Sequence, residues 1–266
     1  MKKTLFIIAF ALLIILPIVS LVNYLLENQG CRTPQNYTID IEKRFERDAS
    51  SFTQGLFIHN NKVYESFGQY GASGIKNYQL GDLNPGNMKM NGNRVFAEGA
   101  TIIDNEVIQI TWKKGVAYRY DQDLNPVGSF EYNGEGWGLA TYKDQLLMSD
   151  GSYEIQFRSS EDFKLLRKIQ VKELEEKIDQ LNELEVIDGE IWANIWQSDE
   201  IITVDPDSGC VMKKIDASSL WEYENESKKY IGGVLNGIAY NSELGHIYLT
   251  GKYWQNIFQI KLKDKK

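Results

Sequence analysis

The sequence predicts an all-β chain, a five-bladed β-propeller preceded by an N-terminal transmembrane helix, and three observations carry that expectation. A short strand–turn–strand unit recurs five times. Its copies lie 39 to 54 residues apart, close to the size of a four-stranded blade. A long apolar run precedes all of them, at the N-terminus.

That run spans Thr4 to Leu26, and its 23 residues at about 1.5 Å each reach roughly 35 Å, enough for a hydrocarbon core of about 30 Å. Lys2 and Lys3 stay on the cytoplasmic side by the positive-inside tendency, which leaves the rest of the chain extracytoplasmic. No small-x-small cleavage motif follows, so a retained signal anchor is favoured over a cleaved signal peptide. Residues 1–27 are assigned to this segment, 28–36 to a linker and 37–266 to the propeller. Cys31 follows Asn28-Gln29-Gly30, which lacks the apolar and small residues of a lipoprotein signal. With Cys210 far away in sequence, two cysteines make no disulfide framework, and the pair reads as two unpaired thiols.

The first repeat runs Phe52-Thr53-Gln54-Gly55-Leu56-Phe57, turns at His59-Asn60-Asn61 and continues Val63 to Phe67. The second opens Phe96-Ala97-Glu98-Gly99-Ala100-Thr101, turns at Asp104-Asn105 and continues Val107 to Trp112. The third opens Gly136-Trp137-Gly138-Leu139 and continues Leu146 to Met148; the fourth opens Leu181-Asn182-Glu183-Leu184-Glu185 and turns at Asp188-Gly189. The fifth opens Leu235-Asn236-Gly237-Ile238 and continues Ile247-Tyr248-Leu249. β-rich stretches such as Val116 to Tyr120 and Glu154 to Phe157 read as outer strands. The last copy ends at Ile257 to Leu262, one strand short, and Tyr37 to Ile41 is expected to supply the missing strand and remove a free edge.

With Gln54, Glu98, Trp137, Asn182 and Asn236 as equivalents, the intervals are 44, 39, 45 and 54 residues. The longest holds an insert, Asp216 to Gly232, with helix-like spacing at Ser219-Leu220-Trp221. A second insert, Val171 to Gln180, is charged and reads as a short helical turn.

Composition narrows the chemistry. A content of 42% hydrophobic and 12% aromatic residues supports a packed domain. Lys and Arg total 29 against 37 acids, for a net charge of -8 and no basic run outside the termini, which argues against nucleic acid as a partner. His59 and His246 are the only histidines, both in predicted turns, so a catalytic triad and a histidine-rich zinc site are poorly supplied. No glycine-rich phosphate loop follows a strand and opens a helix.

The glycine recurring in four openings is expected where inner strands approach closely. The residues before it are not core residues of one type, so Gln54, Glu98, Trp137, Asn182 and Asn236 are expected to converge on one mouth. Trp112, Trp196 and Lys252 recur 14 to 16 positions later, where the second strand returns to the same end. Any one tryptophan here is equally well read as packing between blades, and a lone glutamate is more often solvated. Matched repeat positions favour a site: a pocket with one carboxylate, amide side chains, a lysine and indole walls suits a small neutral polar substrate and proton transfer. That is amide chemistry more naturally than redox or phosphoryl transfer.

The strings Phe52-Thr53-Gln54-Gly55-Leu56, Gly136-Trp137-Gly138-Leu139-Ala140-Thr141, Leu181-Asn182-Glu183-Leu184-Glu185, Trp192-Ala193-Asn194-Ile195-Trp196 and Leu235-Asn236-Gly237-Ile238-Ala239 resemble the plant-type glutaminyl cyclases of the glutaminyl-peptide cyclotransferase family. The similarity runs roughly from Phe45 to Leu262. It implies a five-bladed propeller with no catalytic metal and no cofactor, acting on peptides or proteins with N-terminal glutamine. By the resemblance Glu98 matches the essential acid, Gln54, Asn182 and Lys252 the polar pocket members, and Phe52, Phe96, Trp112, Trp137 and Trp196 the aromatic ones. The expected catalytic residues are Glu98, Asn182 and Lys252, with Gln54 and the five aromatics binding substrate. One departure is visible: the family's Gly-Glu-Gly-Leu reads Ala97-Glu98-Gly99-Ala100, which keeps the carboxylate. Two other readings stand beside this one. The first is a metal-dependent, lactonase-like hydrolase using Glu98, Asn182, Asn236 and Asp150 around a divalent cation. The second is a non-catalytic propeller binding peptides or glycans through its aromatic mouth.

Overall fold

A computed structural model describes residues 30–265. The chain divides into Met1–Cys31 and Arg32–Lys266, and the fold below is that of the second unit. The apolar run at 4–26 lies outside the described residues, among which no helix is long and apolar enough to cross a membrane.

The unit is all-β. It opens with β1 (Gln35–Glu46), then a meander of β2 (Thr53–His59), β3 (Lys62–Phe67), β4 (Gly74–Tyr78) and β5 (Asn87–Met90). The second meander is β6 (Ala97–Ile103), β7 (Glu106–Thr111), β8 (Val116–Tyr120) and β9 (Pro126–Glu131). The third is β10 (Leu139–Tyr142), β11 (Gln145–Ser149), β12 (Glu154–Ser159) and β13 (Leu165–Gln170). A small hairpin, β14 (Lys172–Glu173) and β15 (Glu176–Lys177), leads into β16 (Leu181–Ile187), β17 (Glu190–Ile195), β18 (Glu200–Val204) and β19 (Val211–Asp216). After two 3-10 helices, Ser218–Tyr223 and Glu226–Ile231, come β20 (Leu235–Asn241), β21 (His246–Gly251) and β22 (Asn256–Asp264).

Among the described residues, the first three meanders are separate four-stranded sheets. β14 and β15 form a two-stranded sheet of their own, and the remaining strands form one eight-stranded sheet in the order β16-β17-β18-β19-β1-β22-β21-β20. The expected closing strand is therefore present and longer than Tyr37 to Ile41: β1 pairs antiparallel with β22 from Tyr37 to Glu46 and parallel with β19. The first strands touch in succession, β2 with β6, β6 with β10, β10 with β16, β16 with β20, and β20 with β2 again.

The turns follow from their residues. Asn60-Asn61, Asp104-Asn105 and Asp188-Gly189 have left-handed φ at both positions, as a two-residue hairpin turn matching the strand twist demands. Apolar side chains between them pack meander against meander: Phe57, Tyr64 and Ile75 on Ala100, Val107 and Tyr120, for example. Ala239, Tyr248 and Ile257 of the last meander pack on Leu56, Val63 and Tyr78 of the first.

Three expectations are corrected. The 171–180 insert is a β-hairpin, not a helical turn, because Lys172↔Lys177 and Glu173↔Glu176 pair across a tight loop. His59 ends β2 and His246 begins β21, so both sit at strand ends. Neither cysteine is a free thiol: Cys31 and Cys210 are both disulfide-bonded. Distance along the chain says little about distance in space when strands pair non-locally.

Candidate active site

The first strands present their site residues through a repeated irregularity. Pairing slips by an extra residue at Thr53/Gly55, Ala97/Ala100, Leu181/Leu184 and Leu235/Ile238. A bulge of this kind bends the strand and re-aims a side chain, and the slipped residues include Gln54, Glu98, Asn182 and Asn236. Close approach of successive first strands requires the accompanying glycines. A Cβ at Gly55 would stand 2.4 Å from Ala100 N, at Gly99 2.4 Å from Leu139 N, and at Gly138 2.0 Å from Asn182 O.

The second slot is equally regular. The N–H groups of Gly68, Trp112, Trp196 and Lys252 donate to the carbonyls of Phe52, Phe96, Gln180 and Val234. This bond holds the end of each second strand beside the start of its first.

Together these slots enclose a cavity of about 440 Å³ lined by Phe52, Gln54, Gln69, Phe96, Glu98, Trp112, Trp137, Asn182, Trp196 and Lys252. All nine residues selected from sequence line it. Gln69 is an addition that the sequence reading missed. Its signal was faint: it lies 15 positions after Gln54 but one residue beyond Gly68, which makes the second-slot bond, and it carries neither ring nor charge. Asn236 and Asp150 are not among the lining residues. Asn236 Nδ2 donates to Thr53 O at 2.9 Å and to Gln54 Oε1 at 3.5 Å, while the Asp150 carboxylate accepts from Ser152 and Gln156. Among the described residues, no three His, Cys, Asp or Glu side chains come together as metal ligands.

Polar residues form the buried floor: Gln54, Glu98, Asn182 and Lys252 are each 5% exposed or less. Aromatic rings form the wall. Phe52 meets Tyr253 and Phe96 at centroid distances of 5.1 and 6.1 Å, and Phe96 meets Trp112 at 5.7 Å. Trp137 and Trp196 cross edge to face at 5.7 Å. Glu135 joins the two halves: its Oε2 accepts from Trp112 Nε1 at 2.7 Å and Trp137 Nε1 at 3.2 Å. Sequence reasoning passed over Glu135 because it sits in a loop outside both repeat slots.

The floor is electrostatically tuned. Burial pushes the Glu98 carboxyl well above the usual carboxylate range; Lys252's positive charge opposes this and Glu135 adds to it. Burial lowers the Lys252 ammonium to about 8, with Glu98 opposing. Lys252 Nζ lies 4.7 Å from the centre of the Phe52 ring. Asn182 Oδ1 is buried with no hydrogen-bond partner among the described residues, an arrangement suited to accepting from a bound ligand. A carboxyl displaced toward neutrality beside a buried cation, inside an aromatic enclosure, can take and return a proton.

Comparison with known proteins agrees with this chemistry. The family model described as "Glutamine cyclotransferase" matches residues 14–262. An Arabidopsis thaliana glutaminyl-peptide cyclotransferase is 34% identical over 229 residues, covering 85% of this chain and 72% of that protein. The crystal structure of Myxococcus xanthus glutaminyl cyclase superposes with a TM-score of 0.80 at 32% identity, covering 88% of this chain and 100% of that one. A Bacteroides thetaiotaomicron protein of unknown function shares the fold alone, with a TM-score of 0.52, 12% identity, and coverage of 85% of this chain and 76% of that one. A family match over nearly the whole chain, together with a relative sharing a third of its residues, means that this chain belongs to the glutamine cyclotransferase family.

Proposed function

We propose that this chain converts the N-terminal glutamine of peptides and proteins to pyroglutamate with release of ammonia, and that Glu98 carries the protons. The observation carrying the reading is the buried carboxyl of Glu98, raised by desolvation beside Lys252 on the floor of an aromatic-walled cavity.

Both reacting groups belong to one substrate residue, so the first task is to hold glutamine folded back, with its α-amine against its γ-carboxamide carbon. Trp112, Trp137 and Trp196 exclude extended conformers. As the C–N bond forms, the amine gives a proton to the Glu98 carboxylate and the carbonyl oxygen gains negative charge. Asn236 engages Gln54 Oε1, which leaves Gln54 Nε2, along with Lys252 Nζ, to donate to that oxyanion. The orphaned Asn182 Oδ1 accepts from the substrate's nitrogen. Glu98 then returns its proton to the departing nitrogen, the C–N bond of the former amide breaks, and ammonia leaves. A carboxyl whose ionisation burial has displaced upward can make both transfers, and such positioned acid/base groups contribute about 100- to 10,000-fold.

The ring of first-strand contacts supports reading the five meanders as blades of a five-bladed propeller. The apolar run at 4–26 supports a membrane tether with the catalytic unit extracytoplasmic. The disulfide-bonded state of both cysteines supports the same oxidising compartment. Sedimentation of the full chain with membranes, and protease sensitivity of its catalytic unit from the outer side only, tests that placement.

The decisive assay is ammonia release from a glutamine-initiated dipeptide with a chelator present. Wild type is expected to turn over and folded Glu98→Gln to lose at least about 1,000-fold. Near-normal turnover by that variant removes Glu98 from the role.

A further inference from the structure

A second cleft of about 290 Å³ adjoins the first, and Phe52 and Trp196 line both. Its other walls come from the loop after β17, at Gln197 and Asp199, and from the 218–231 insert, at Trp221 and Lys229. Nothing in the chemistry derived above uses that insert, although it accounts for the longest interval in the repeat.

The insert is anchored at the mouth. Trp221 packs on Trp254 at 4.8 Å, and Lys228 Nζ donates to the carbonyl of Tyr253, whose ring lies against Phe52. The charges in the cleft neutralise one another. Asp199 accepts from Trp221 Nε1 at 2.6 Å and pairs with Lys229 at 3.4 Å, while Lys229 lies 4.2 Å above the Trp221 ring. The cleft therefore offers aromatic and aliphatic surface with its one acid and one base already matched, which disfavours a charged guest and suits an apolar one.

We propose that this cleft receives the side chain of the substrate residue following the glutamine, and that it selects bulky apolar or aromatic residues there. The proposal rests on the cyclisation reading. With the α-amine and carboxamide held over Glu98, the rest of the peptide must leave past the rim, and the 40%-exposed Trp196 is the rim that both cavities share. The side-chain amide of Gln197, exposed beside it, can meet the first peptide group of the departing chain.

The test compares kcat/KM for the amides of Gln-Gly and Gln-Phe. Removing a phenyl ring from water predicts at least about a tenfold advantage for Gln-Phe, expressed mainly in KM. Val234 also lines the cleft, so Val234→Phe fills it, and Lys229→Glu sets a like charge beside Asp199. Both are expected to keep turnover of Gln-Gly within about twofold while losing most of the Gln-Phe advantage. Lys229 is exposed and not part of the core, so its variant carries the test even where Val234→Phe does not fold. Equal kcat/KM for the two peptides with wild type, or an undiminished preference in Lys229→Glu, overturns the subsite and leaves cyclisation standing. A folded wild type that converts neither peptide overturns cyclisation itself, and the subsite with it.

Discussion

Glu135 illustrates how a residue off the reaction path can govern it. One carboxylate oxygen receives both indole N–H groups, so the angle between Trp112 and Trp137 depends on it. Glu135→Ala is expected to raise KM for a glutaminyl dipeptide by about three- to tenfold, with a smaller fall in kcat, because a partly exposed charge-assisted bond is worth only about 1–2 kcal/mol. Loss of its negative charge also lets the Glu98 pKa fall, so the acidic limb of the kcat/KM profile should move to lower pH. A structural role alone would leave that limb in place. Gln54, Glu98, Asn182 and the tryptophans were legible because they occupy a repeated slot. Glu135 was not, since its role depends on two rings meeting in space.

At the scale of elements, bulged first strands aim site residues, and glycines let successive first strands approach closely. A methyl group on Gly138 would collide with the backbone carbonyl of Asn182, which no rotamer can relieve. Gly138→Ala should therefore destabilise by about 1–3 kcal/mol, read as a lower denaturant midpoint with an unchanged slope. It should also weaken substrate binding, because the displaced strand carries Asn182. β1 has the opposite role, closing edges and not shaping a pocket. It lies between β19 and β22, so a chain beginning at Arg47 leaves both edges open. That truncation is expected to run as higher-order species in size-exclusion chromatography. The closing strand was readable from β-rich residues and a missing partner. The β14–β15 hairpin was not, since four paired residues leave no periodic pattern.

The whole molecule pays a pH-dependent cost for its crowded centre. The carboxylate of Glu183 accepts from Leu56 N and Ile238 N, and that of Glu185 from Val186 N and Tyr240 N, spanning from one first strand to others. Burial raises Glu183 well above the carboxylate range and Glu185 from 4.5 to about 8. Unfolded, these groups release their protons near 4.5; folded, they keep them. The folded state thus binds more protons between those values, and stability, fully present below about 4.5, declines as pH rises toward about 8. The melting temperature should fall across that window, and Glu185→Gln should show a shallower decline.

The sequence by itself determined the all-β class, the repeat and seven of the residues that line the cavity, because alternation, turn residues and fixed spacing are local properties that survive without coordinates, while the family resemblance added Phe52 and Phe96. Tertiary structure alone decided which of those residues are dry, and hence that Glu98 is raised and Lys252 lowered. It also decided that Gln69 joins the cavity, that Glu135 ties two indoles together and that the 218–231 insert walls a second cleft. Desolvation and convergence depend on which distant segments meet, and in a fold built from non-local strand pairing no window of sequence contains that information.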